Sequence, residues 1–110
     1  MGRVKSYFEK MMEDETTNLY AVLYYPQNDY DTKGVYLQCD SIWNVEEMFK
    51  NKYPNCKIVS IQCMNTYIEL TSNGKLMATT QLYDSLKKYL KHYRANNISI
   101  KVTEKKFERK

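Results

Sequence analysis

Thr80–Arg94 reads TQLYDSLKKYLKHYR and is the clearest structural signal in the chain. Leu82, Leu86, Tyr89, Leu90 and Tyr93 recur at the spacing of one face of an α-helix. Asp84, Ser85, Lys87, Lys88, Lys91, His92 and Arg94 fill the other side. Thr79 or Thr80 is placed to cap the first turn. Cations in the last turn suit the negative end of the helix dipole. Asn96 and Asn97 then offer a left-handed stop. The segment therefore predicts a helix over 80–94 with one face to bury and one basic face to show.

Upstream, Ser41–Lys52 predicts a second helix, with Ile42, Val45, Met48 and Phe49 as its apolar stripe and Asp40 or Ser41 as its cap. Tyr53 and Pro54 end it, because the residue before proline avoids helical geometry. Leu19–Tyr25 (LYAVLYY) is a nearly continuous apolar run, expected as a central strand buried on both faces. Strands are also expected at 35–39, 56–64, 66–71, 75–78 and 98–102. Asn73-Gly74 marks a hairpin, because its type I′ turn needs two residues with positive φ. A short N-terminal helix is read over 4–14, within an extension spanning 1–17, and a charged tail over 104–110. No internal repeat is visible.

The order approximates βαββαβ, with an extra short strand or hairpin. The expectation is a single α+β domain over 1–110. It would be ferredoxin-like, an antiparallel sheet with both helices on one face.

At 110 residues with 43% hydrophobic and 27% charged content, the chain has the balance of a globular domain. Its net charge of +4 is uneven. Residues 1–40 carry four basic and seven acidic side chains, whereas 41–110 carry thirteen and six. Such asymmetry points to a directional surface. Three cysteines without a CxxC pair argue against a disulfide framework and for a reducing compartment. No window of eighteen apolar residues and no signal-peptide pattern occurs, so a cytoplasmic protein without membrane contact is expected. The eleven tyrosines accompany nine asparagines and only three alanines, the bias of an AT-rich coding sequence.

The chemistry of catalysis is thin. His92 is the only histidine, on a polar helix face with no nucleophile near it in sequence. The cysteine spacings do not match paired zinc-ligand patterns. Asp29 and Asp31 follow the first strand and in this resemble the CRISPR spacer-acquisition nucleases, which carry a metal-binding Asp there. The likeness is one strand and a nearby acid, and loop aspartates ordinarily form turns. The element order also resembles the RNA-recognition-motif domain, whose central strands display aromatics that stack on bases. On that likeness Tyr20, Tyr24 and Tyr36 are the stacking candidates. The family's K/R-G-F/Y signature is missing, and Thr66–Leu70 (TYIEL) has one aromatic and an acid in its place.

The sequence thus favours a non-catalytic protein without cofactor, acting stoichiometrically on a protein or nucleoprotein target. It is of the type of phage and plasmid accessory proteins, including inhibitors of host defence. Tyr7 and Phe8 of the N-terminal segment would contact such a partner. The alternative is direct nucleic-acid binding through Lys87, Lys88, Lys91, Arg94 and Lys101 with surface tyrosines.

Overall fold

The computed structural model describes residues 17–107. The expected N-terminal helix, with Tyr7 and Phe8, lies outside them. Along the chain run β1 (Asn18–Tyr25), β2 (Lys33–Cys39), a 3-10 turn (Ile42–Asn44), α1 (Val45–Lys52) and β3 (Lys57–Cys63). Then come β4 (Thr66–Ser72), β5 (Lys75–Thr80), α2 (Tyr83–Ala95) and β6 (Lys101–Lys106).

These strands do not make the single ferredoxin-like α+β sheet expected from the sequence. They form two three-stranded antiparallel sheets, β2-β1-β3 and β5-β4-β6, and strand dominates over helix. β1 pairs with β2 on one side and β3 on the other. β4 does the same with β5 and β6. Each central strand has both edges filled within its own half, so neither is free to join the halves into one sheet. The two halves also share an order, hairpin, helix, then a strand returning beside the first. This is a repeat of topology that the sequence does not display as similarity.

The joint between the sheets is Met64-Asn65. A two-residue link could close a hairpin, but its polar groups are taken elsewhere. The Met64 N–H donates to the Leu19 carbonyl at 2.9 Å. Asn65 Oδ1 accepts from the Leu19 N–H at 2.9 Å, and its carbonyl accepts from the Phe107 N–H at 3.2 Å. A second seam joins the end of β3 to the entry of α2. There Gln62 bridges Leu82, and the Cys63 N–H donates to the Gln81 carbonyl at 2.7 Å.

One core cluster serves both sheets. Tyr20, Val22, Leu37, Ile42, Val45, Phe49, Ile61, Ile68, Leu70, Leu86 and Leu90 belong to it. Leu86 and Leu90 are buried, as the helical stripe requires. Leu82 is not, because α2 begins only at Tyr83 and Leu82 is spent in the bridge to Gln62. The expected threonine cap is shifted as well. Thr80 Oγ1 accepts from the Leu82 N–H at 3.1 Å, before the helix proper. The stop and the hairpin follow the sequence: Asn97 has φ 59°, Asn73 52° and Gly74 79°.

The charged tail over 104–110 is corrected in part, since 101–106 is strand β6 and Phe107 is held by the Asn65 carbonyl. Glu104 is the tie between the halves. Its carboxylate accepts from the Tyr20 hydroxyl of β1, the Thr66 hydroxyl of β4 at 2.8 Å, and the Ile42 N–H ahead of α1 at 3.0 Å.

Candidate binding surfaces

On α2 the side chains of Lys87, Lys88, Lys91 and Arg94 are exposed, as amphipathic spacing requires. Lys87 lies 3.6 Å from the Asp84 carboxylate and its ammonium sits 4.6 Å above the Tyr83 ring. Lys101 does not join this row. It alternates with Val102, which packs against the core, so it lies on the opposite face of the second sheet.

The three candidate tyrosines part company. Tyr20 is fully buried and its hydroxyl is spent on Glu104. Tyr24 packs in the core against Phe49 and Tyr53, with ring centroids 5.1 and 5.6 Å away. Tyr36 is 51% exposed. Parity explains this. Residues 20, 22 and 24 of β1 face the helices, whereas Ala21, opposite Tyr36, faces away.

That outward face of β2-β1-β3 is one surface of interest. Leu19, Ala21 and Leu23 run up its centre, flanked by Gly34, Tyr36 and Gln38 on β2 and Ser60 and Gln62 on β3. None of these eight residues is charged. Leu23 is 45% exposed and leans across Gly34, where a Cβ would come 3.4 Å from its Cδ2. β1 is therefore central, as expected, and buried on both faces at Leu19 and Tyr20, but its outward face opens from Ala21 to Leu23.

The outward face of β5-β4-β6 has a different chemistry. Tyr67, Glu69 and Thr71 of β4 lie beside Lys105, Thr103 and Lys101 of β6 in register. Phe107 continues this alternation, and its ring packs against Tyr67 at 5.2 Å. Lys105 pairs with Glu69 at 3.1 Å. Sequence reasoning missed Tyr67 and Phe107, placing one in an acid-bearing run and the other in a tail. The period-two spacing of Lys101, Thr103, Lys105 and Phe107 was the signal available.

Asp29 acts as a turn former: its carboxylate accepts from the Asp31 N–H at 3.0 Å and its own N–H donates to the Pro26 carbonyl at 3.2 Å. No group of three or more His, Cys, Asp or Glu side chains able to hold a metal occurs among the described residues. All three cysteines are free thiols. No helix among the described residues is long and apolar enough to cross a membrane.

Burial pushes the Cys63 thiol up to about 11, from 9.0. Burial, and then the bond to Glu104, raise the Tyr20 phenol in the same sense. The unfolded chain releases the Cys63 proton near pH 9, while the folded protein holds it to about 11. Its contribution to stability is thus complete below pH 9 and is lost as pH rises through that window, by about 1.4 kcal/mol per unit. Urea unfolding across pH 8–11 is expected to fall less steeply for Cys63→Val than for the wild type. Parallel pH profiles would contradict the assignment.

No family model, curated protein or solved structure matches the chain.

Proposed function

We propose that this is a non-catalytic binding protein of the cytoplasm that engages a protein or nucleoprotein target through the outward face of β2-β1-β3. The observation that carries the reading is the half-exposed pair Leu23 and Tyr36 on a strand surface with no charged side chain between residues 19–23, 34–38 and 60–62. Such a surface suits the dry centre of a protein interface, where charge is depleted and an aromatic anchor supplies much of the energy. The exposed cations of α2 lie on another layer and steer an acidic partner's approach. Such a protein acts in proportion to its target, as phage-type accessory proteins and inhibitors do.

Capture from lysate tests this, using tagged wild type and Leu23→Ser/Tyr36→Ser, each with and without nuclease. The expected result is a protein partner retained after nuclease and lost from the double variant. His92→Ala and Asp29→Ala/Asp31→Ala are expected to retain it. The reading is overturned if no nuclease-resistant protein partner is captured, or if the double variant captures that partner as well as the wild type does.

A further inference from the structure

We infer that the outward face of β5-β4-β6 is a platform for single-stranded nucleic acid, independent of the protein-binding face proposed above. Two aromatic rings and the Lys105 side chain adjoin there, and Lys101 follows on the same face further along β6. Tyr67 sits on the central strand, and Phe107 lies beside it at 5.2 Å with the rings tilted by 35°. Phe107 is 48% exposed although its backbone is fixed by the bond to the Asn65 carbonyl. A large apolar ring held in place and left half open is pre-organised for contact rather than for the core. The rings border an open hollow of about 590 Å³ that is otherwise lined by Thr79, Thr80 and Gln81.

The charge on this face favours a polyanion. Glu69 is recessed, with 19% of its side chain exposed, and Lys105, at 50%, projects past it while pairing with it. Lys101, opposite Thr71 further along β6, is exposed as well. Bases stack on aromatic faces whatever their sequence, and neighbouring ammonium groups follow the phosphates. A duplex hides its base faces, so the aromatic pair has purchase only on unpaired strands. An apolar protein partner would gain little from a face so rich in threonine and lysine.

Fluorescence anisotropy with labelled oligothymidylate and oligouridylate of about 12 nucleotides, within the usual site sizes, tests the inference. Phe107→Ala is expected to weaken binding by roughly 5- to 100-fold, the range for loss of one stacked base. Lys101→Gln/Lys105→Gln is expected to flatten the dependence of log K on log salt by about 1.4, at roughly 0.7 per phosphate on single strands. Duplex of the same length should bind more weakly. Lys87→Gln/Lys91→Gln/Arg94→Gln and Leu23→Ser should bind as the wild type does, which separates this face from α2 and from the protein-binding face. The inference is overturned if neither oligonucleotide binds at low salt. It is equally overturned if binding survives both the Phe107 and the lysine variants, or is lost only in the α2 variant.

Discussion

Glu104→Ala is expected to lower the stability of the protein by about 3–5 kcal/mol in urea unfolding. The carboxylate is the common acceptor for Tyr20, Thr66 and the Ile42 N–H, so it ties β6 to β1, to β4 and to the entry of α1. Alanine leaves three donors without that acceptor, and Tyr20 is fully buried where water cannot replace it. Each buried orphan costs about 1–3 kcal/mol, and the losses overlap because the groups share one site. Glu104→Gln keeps one carbonyl oxygen and should lose distinctly less. A loss below about 1 kcal/mol for the alanine variant would show that β6 is peripheral, as a charged tail would be.

Phe49→Ala should cost a similar amount, about 3–5 kcal/mol, for a different reason. Phe49 is fully buried under α1, with its ring 5.1 Å from Tyr24 and 5.0 Å from Tyr53. Truncation opens a cavity between α1 and the first sheet, and two aromatic contacts are lost with it. Leu82→Ala is the matched contrast. Leu82 belongs to the sequence stripe of α2 yet is 42% exposed, so its loss should stay near 0.5 kcal/mol. Equal losses at the two positions would contradict the core described above.

The elements themselves were legible, and their pairing was not. Periodicity located both helices and nearly all strands, because burying one face imposes a period of 3.6 or 2 on the residues. Asn73-Gly74 specified its turn through backbone geometry alone. Pairing has no such local signature. β1 is as apolar as a strand of a single large sheet would be, and nothing in LYAVLYY says that β2 and β3 flank it, one on each side. Glu104 was obscured for a related reason. A carboxylate among lysines reads as solvated, and its three donors lie 38 to 84 residues away in sequence.

The candidate surfaces divide along the same line. The α2 cations were legible because one helix carries them all. Tyr20 and Tyr24 could not be told from Tyr36 without knowing which face of β1 the helices cover. Tyr67 and Phe107 are 40 residues apart and become neighbours only through the β4–β6 register.

The outward face of β2-β1-β3 is the surface we propose meets the target. Site-specific photo-crosslinking in cells tests it most directly, with a benzoylphenylalanine carried at position 36 in one variant and at position 88 in another. A discrete protein adduct is expected from position 36, in proportion to the amount of the variant expressed, and none from position 88 on α2. An adduct from position 88 alone would contradict the proposal.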